Sequence, residues 1–399
     1  MHKTVPAAEL GHAATKLHVA VVSRADLPEC SHWARAFGDE RKDRRHFELV
    51  EDTIQEFDYR YFVITDDRGD VCAVQPFFML DQDLLVAAGL RARALASLVR
   101  RVWPRFMRLR TLMMGCAVGE GRLDRTDLSY VRLLASTVVQ YARDLKARLV
   151  VLKEFPAQYR PLLECFVERG YARLPSFPMT KLNIDYDSFE DYMVKALSRR
   201  TRRDLRLKFK AAGRGQAIEQ SIVSDITPVI DEAYPLYLQV YHRSKFHFEK
   251  LTKEYLCELG QIMPDKVRFF IWRRGGSIVA FTVCMLQGDE FYAEYIGLDY
   301  SVALNLHLYH YAVRDMVTWA MANGFKWFRS SGLNYDPKFH LRCVLDPIDL
   351  YVRHTSAIVN APLKWLLPWI NPVHRDEILK RFPNYHELWT AKGGDPGKQ

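Results

Sequence analysis

Apolar and polar residues alternate with a period of two in two stretches that read as hairpins. In YRYFVITDDRGDVCAVQPFFML, the runs Tyr59–Thr65 and Val71–Leu80 flank a turn at Asp67-Arg68-Gly69-Asp70. The second hairpin pairs Val267–Trp272 with Ser277–Leu286 around Arg274-Gly275-Gly276. A similar order follows each. After the first come a strand, Thr111–Gly121, that ends in a glycine loop, a helix at Leu128–Lys146, a short buried strand at Leu149–Leu152, and a helix at Tyr159–Gly170. After the second come a strand at Glu290–Gly297, a long helix at Ala303–Asn323 stopped by Gly324, and a strand at Phe325–Ser330. Around these units, Lys16–Ser23 and Thr180–Ile184 read as strands, and Pro28–Arg45, Ile230–Lys250 and Lys253–Met263 read as helices. Arg91–Arg110 is basic and apolar, a helix plus loop broken at Pro104. Ser188–Asp191 has the spacing of a capping box.

The repeated order predicts an α/β protein of two similar lobes, with mixed sheets flanked by helices. A flexible N-terminus is expected over residues 1–16, an N-terminal lobe over 17–178, a C-terminal lobe over 179–356, and a separate tail over 357–399. A chain of 399 residues suits two domains of ordinary size. The first seventeen residues hold no apolar run, so no secretory leader is expected. No apolar run is long enough to cross a bilayer. The seven cysteines are scattered without a C-x-x-C pair, which suits reduced cytosol and points away from a structural zinc. The formal charge of +9 favours anionic partners such as CoA phosphates, RNA or an anionic membrane.

Phe291 to His354 carries the strongest signal: an aromatic strand, a polar turn, an amphipathic helix, and a second strand that opens into a small-residue loop. Tyr292-x-x-Tyr295-x-Gly297, the Leu306-His307 pair, and the opening Ser198-Arg199-Arg200-Thr201-Arg202-Arg203-Asp204-Leu205 resemble the predicted N-acyltransferases of the FemAB-like branch of the GNAT superfamily, to which bacterial ceramide synthases are also related. The resemblance covers most of residues 180–354 and, more loosely, 17–171. It implies two GNAT-like lobes, the second of them catalytic, and transfer of an acyl group from an activated donor to an amine. The glycine-rich CoA loop usual in acetyltransferases is replaced here by DYSVALNLH, and the family's Arg-Gly-Phe after the loop lysine by Leu341-Arg342-Cys343-Val344.

Acyl transfer needs a bound donor, an amine relieved of its proton, and donors for the oxyanion. On the strand, Glu294 and Tyr295 are candidates; adjacent residues point to opposite faces, so one of the two is expected in the cleft. The plainer alternative makes Phe291, Tyr292 and Tyr295 packing aromatics. His307 is the first choice for proton acceptor, against a purely structural histidine. His310 lies three residues on, on the same helical face, and no third ligand is spaced to make the pair a zinc site. Asp299 and Asn305 lie in the turn before the helix, whose free N–H groups suit a phosphate. In the loop after the last strand, Asn334 and Lys338 are candidates for holding a phosphate or carboxylate. Lys195–Arg214 holds nine cations against the single acid Asp204, with Leu197, Leu205 and Phe209 at helical spacing. Arg202, Arg203 and Arg206 are its candidate binders of donor phosphate, tRNA backbone or anionic lipid; the alternative is a solvated helix face.

The first expectation is therefore an N-acyltransferase that uses acyl-CoA as co-substrate, with no tightly bound cofactor and no metal, acting on an amine that could be a long-chain lipid amine such as a sphingoid base. It would be cytoplasmic, with peripheral contact to the inner face of an anionic membrane. AIVNAPLKWLLPWINP at Ala357–Pro372 combines tryptophan with leucine and is too short to span a bilayer; it fits either a membrane interface or docking on the core. The second reading is aminoacyl transfer from tRNA to a peptidoglycan precursor, against which no sustained heptad for a coiled-coil arm is found. The third is a non-catalytic protein that binds RNA or an anionic membrane.

Overall fold

The computed structural model describes residues 16–27, 31–83, 97–101, 108–244 and 248–390. Most of the basic stretch 91–110 lies outside them. Both hairpins form: β2 (Asp58–Thr65) pairs with β3 (Val71–Asp83), and β9 (Val267–Arg274) with β10 (Ser277–Gln287). β1 (His18–Val22) lies at the edge of the first sheet beside β2. β4 (Arg108–Met114) then runs parallel to β5 (Leu149–Pro156), and helix α3 (Leu128–Asp144) crosses between them. Two short helices precede β2, α1 (Ser31–Arg35) and α2 (Arg44–Thr53); Asp43 caps the second by accepting from the Arg45 N–H. The sequence pattern placed one charged helix over 28–45 and missed the second of these.

The second sheet repeats the plan. β8 (Ile218–Val223), a strand the alternation does not reveal, takes the edge beside β9. β11 (Glu290–Leu298) runs parallel to β12 (Trp327–Ser330), with α9 (Leu308–Ala322) crossing between them. That helix starts five residues later than its periodicity predicts. Residues 299–307 instead form turns in which the Ala303 N–H bonds the Asp299 carbonyl at 2.8 Å, and His307 adopts a left-handed φ of 50°. Ahead of the sheet come α5 (Phe189–Ala196), capped by Ser188 Oγ accepting from Asp191 N at 3.1 Å, and the basic helix α6 (Arg199–Ala212), capped by Ser198. α7 (Ile230–Arg243) packs across β11 at Gly297, where a Cβ would lie 2.8 Å from the Tyr237 nitrogen. α8 (Lys253–Ile262) follows it.

One strand of the first sheet comes from the far end of the chain. The first has the order β1-β2-β3-β4-β5-β14-β6, and the second β13-β7-β12-β11-β10-β9-β8. β6 (Ala172–Pro175) closes the first sheet after α4 (Arg160–Glu168), yet the strand between it and β5 is β14 (Ile348–His354), from the far end of the chain. β7 (Met179–Asn183) opens the second sheet's share of the chain and lies between β12 and β13 (Val344–Asp346), which follows α10 (Tyr335–His340). A division at residue 178 along the chain thus leaves the first sheet holding one strand, β14, from the C-terminal part, while every strand of the second sheet lies after residue 178. The Arg160 guanidinium fastens β14 by donating to Asp349 at 2.6 Å, both groups fully buried. One core fills each lobe, a third, joining Leu149, Val151, Ile348 and Val352 to Tyr237 and Tyr255, lies between them, and a smaller fourth gathers Trp33, Phe37, Phe47 and Tyr61 in the first lobe.

The tail is not a loose appendage over its described length. α11 (Ala357–Ile370) is one helix despite Pro362 and Pro368, and lies on β14 and β6. After it Val373, Leu379, Phe382 and Leu388 are buried in the core of the second lobe.

Candidate active site

Only the first residues of β11 pair with β12: the register covers Glu290–Ala293 against Trp327–Ser330. Beyond Ala293 the two strands part. At the same point β11 bulges against β10, because Val283 opposes Tyr295 while Cys284 opposes Ala293, which leaves Glu294 as the extra residue. The bulge breaks the strict alternation of faces. Ala293, Glu294, Tyr295 and Ile296 consequently all line one cavity, where alternation alone allows one of Glu294 and Tyr295.

That cavity measures about 2250 Å³ and runs between the lobes. One wall is the cleft of the second lobe: β11, the start of α9 with His307, Tyr309 and His310, the end of β12, the loop Ser331–Asn334, and one face of α6. The other wall is a face of the first sheet, made of Met113, Leu149, Val151, Leu174, Ile348, Leu350 and Val352, all apolar. Period-two alternation on β5 and β14 puts every second residue on this floor. Polar groups border it where β5 ends, at Lys153, Glu154, Ser176 and Glu249.

Glu294, a candidate on the strand, is engaged in a buried ion cluster. Its carboxylate accepts from Arg41 Nε at 2.7 Å and Lys42 Nζ at 3.1 Å, and the same cations pair with Glu120. Burial acts to raise both carboxyl groups, but the charges of Arg41 and Lys42 outweigh it and hold Glu120 and Glu294 below the ordinary range. This buried cluster ties the loop before α2 to the splayed strand. The Arg41 guanidinium also stacks 3.7 Å above the Tyr292 ring.

Tyr295 donates its hydroxyl to Glu249 at 2.6 Å. Burial, and then the Glu249 charge, push the phenol well up, so it stays protonated. Nearby, Lys153 bonds Glu154 at 2.8 Å and lies 4.9 Å from the centre of the Phe248 ring. Burial would lower this amine, yet Glu154 and Glu249 hold it up and it remains an ammonium. Glu249 and Lys153 escape sequence reasoning. Glu249 follows no recognisable motif, and Lys153 reads as part of an apolar strand.

His307 and His310 both reach the cavity. His310 accepts from Lys208 at 3.2 Å, and burial together with Lys208 and His307 lowers it to about 4, so it is a neutral imidazole at pH 7. Lys338, also on the wall, is only 5% exposed and donates to the Ser331 carbonyl. Its environment offers no carboxylate partner among the described residues, and burial lowers the amine to about 8. Asn334 caps α10 in a left-handed conformation at the rim.

Five expected binders lie off the cavity wall. Asp299 turns back on Ser301, whose N–H and Oγ it accepts at 2.9 and 2.7 Å, and Asn305 is exposed in the turn. On α6 the cavity face consists of Arg200, Thr201, Asp204, Leu205 and Lys208, at three- and four-residue spacing. Arg202 instead donates to the Val194 and Leu197 carbonyls at 3.1 and 2.7 Å, Arg206 pairs with Glu190, and Arg203 is exposed.

Two mixed sheets, each with a parallel pair bridged by a helix, and a cavity at the splay of one pair make up the two-lobed GNAT fold. The crystal structure of FemX has this fold, with a TM-score of 0.51 over 86% of this chain and 99% of that one at 12% identity. So does the C-terminal domain of a putative lysylphosphatidylglycerol synthetase from Agrobacterium fabrum, with a TM-score of 0.50, 84% of this chain, 94% of that one and 11% identity. A tandem GNAT protein from the clavulanic acid pathway gives 0.49 over 86% and 99% at 10% identity. No curated protein matches the sequence. The FemAB-like family, described as peptidoglycan biosynthesis/recognition, matches residues 125–334, more than half of the chain, and the chain belongs to that family. It is a transferase of acyl or aminoacyl groups.

Proposed function

We propose that the protein transfers an acyl group from acyl-CoA to the amine of a long-chain lipid, such as a sphingoid base, in the cytoplasm at the inner face of the membrane. One observation carries this reading: the donor cleft at the β11–β12 splay opens directly onto an apolar floor of seven side chains from the first sheet. A peptide or nucleotide acceptor would leave that floor facing water or unmatched polar groups, whereas an alkyl chain covers it at about 25 cal/mol per Å².

The amine nitrogen attacks the thioester carbonyl, the carbonyl oxygen takes the negative charge, and the C–S bond breaks to give amide and thiolate. Two groups on the wall are free to take the amine proton, His307 and the Glu249 carboxylate steadied by Tyr295. Lys338 supplies a positive charge to an anionic group of the donor. Arg200 and Lys208 add to the field at the same end of the cavity. The test is incubation with a panel of short- to long-chain acyl-CoAs plus a long-chain amine, following free thiol and amide mass. Chain-length-dependent amide that disappears in His307→Ala or Glu249→Gln supports the reading and identifies the base. No thiol release with any donor overturns it.

A second reading, an aminoacyl-tRNA donor, is favoured by one observation. The outward side of α6 leaves Arg199, Arg203, Arg206 and Lys210 exposed, a cationic surface suited to a nucleic-acid backbone. Charged tRNA is the donor to try if acyl-CoA fails.

A further inference from the structure

Helix α11 exposes what a soluble surface ordinarily hides. Ile358 is 87% exposed, Trp365 78% and Trp369 81%. Val359, Leu366 and Ile370 are exposed as well, and Lys364 is the helix's one charge. At 100° per residue Ile358, Trp365 and Trp369 fall within a narrow stripe, with Leu366 and Val359 beside it. Leu363 and Leu367 lie on the opposite side, packed against the inter-lobe core, and Asn360 bonds the Gly170 carbonyl at 2.8 Å. The helix is therefore fastened by one face and bare on the other. Among the described residues no helix is long and apolar enough to cross a membrane.

We infer that α11 seats the protein in the headgroup layer of an anionic lipid bilayer, with the cavity mouth beside the bound lipids. Three observations select a bilayer as the occupant. Tryptophan on an apolar stripe fourteen residues long matches the interface and is too short for a span. Both ends of the stripe carry exposed cations. At the N-terminal end Arg143 donates to the Thr355 carbonyl at 2.6 Å, with Lys146 and Arg148 alongside, and at the C-terminal end is Arg375. The neighbouring acids are engaged, Asp144 by Gln140 and Glu377 by Lys380. Like charges at both ends repel a second copy of the same patch and attract anionic headgroups. Finally, Leu367 on the inner side of α11 also lines the cavity, so a lipid that leaves the bilayer along this helix meets the apolar floor.

The inference gives the source of the acceptor in the reading above, but its test needs no turnover. The full chain is floated with vesicles of phosphatidylcholine alone and of phosphatidylcholine mixed with phosphatidylglycerol, and tryptophan quenching by brominated phosphatidylcholine is recorded. Flotation with the anionic vesicles, weaker flotation with the neutral ones, and quenching are expected. Trp365→Ser and Trp369→Ser should each lower the partition coefficient about tenfold, with Ile358→Gln as an independent variant and far-UV circular dichroism as the folding control. Absence of flotation by the wild type, or equal binding by the folded double variant, overturns the inference. So does a wild-type dimer in light scattering that the double variant turns into monomer, which would assign the stripe to a second copy. Turnover of a soluble short-chain amine should survive in the double variant, so loss of vesicle binding and failure of the acyltransferase reading are separately visible.

Discussion

Lys338→Met should make the protein more stable and less active at the same time. The wild-type ammonium is buried, and its pKa falls from 10.5 to about 8 because burial penalises the charge. At about 1.4 kcal/mol per unit, that gap means a cost of about 3 kcal/mol for carrying the charge at pH 7. Losing the hydrogen bond to the Ser331 carbonyl takes back roughly 1 kcal/mol, since that exposed carbonyl regains water. Methionine keeps most of the volume, so a net gain of about 2 kcal/mol remains, or roughly 2–3 °C in Tm for a chain of this size. The advantage falls with pH in a defined way. A lysine with a lowered folded pKa binds fewer protons folded than unfolded between about 8 and 10.5, so wild-type stability rises through that window relative to the variant. By pH 9.5 the variant's advantage should shrink by about 2 kcal/mol. Thermal melts of both proteins at pH 7 and 9.5 measure this directly, and amide formation should drop about ten- to a hundredfold from the lost charge. A variant less stable at pH 7, or an advantage independent of pH, would refute the assignment of Lys338 as a charge kept at the site against its own burial cost.

Glu294→Gln should destabilise the fold by about 3–5 kcal/mol, because it leaves Arg41 and Lys42 short of a buried partner; urea denaturation reads it, and a loss below about 1 kcal/mol contradicts the cluster. Since Glu120 and Glu294 have folded pKa values below 4.5, the stability they give is present above that value and lost as pH falls through the lower folded ones. A wild-type melting temperature that declines below about pH 4.5, with a weaker decline in Glu294→Gln, is the expected outcome. His310, lowered to about 4, favours the fold more as pH rises from 4 toward 6.5; NMR titration of a ring that stays neutral down to pH 5 would verify it, and a pKa near 6.5 would exclude it. Tyr295→Phe removes the hydroxyl that orients Glu249 and should lower kcat about tenfold with KM little changed; an unchanged kcat would show that the pair does not act in the transfer.

Local patterning made most of the elements legible. Both hairpins, the crossing helices before β5 and β12, the glycine stops at Gly170 and Gly324, and the Ser188 cap all follow from short-range rules that act within a few residues. What stayed hidden depends on distant partners. β14 is a strand because β5 and β6 offer it two open edges, and Ile348–His354 sits far from both in sequence. The cleft face of α6 is set by which side packs on the second lobe, so charge density pointed to Arg202, Arg203 and Arg206 while the wall is made by Arg200 and Lys208. His307 and Lys338, picked from the resemblance and from the loop after the last strand, both line the cavity. The partners of Glu294 were not legible from its strand. Its strand position was right, but the cations that neutralise it come from Arg41 and Lys42, some 250 residues earlier.

The insertion of β14 into the first sheet bears on how the site works as well as on how it folds. The apolar floor is a face of the first sheet, yet Ile348, Leu350 and Val352 on it belong to the strand that directly follows β13 of the second sheet, joined through Pro347. The same chain segment therefore begins with the buried Lys338 on α10, passes through β13, and ends under the acceptor's path. The Arg41–Glu120–Lys42–Glu294 cluster makes a second connection, from the first lobe to the bulge that opens the donor cleft. A rigid-body opening of the two lobes would have to break this buried ion network, worth several kcal/mol, while the chain crosses between the lobes twice, at 176–178 and at Pro347. Both links resist parting of the lobes and favour entry of substrates along the cavity. The exposed stripe of α11, whose inner side already lines that cavity at Leu367, stands at such an entrance.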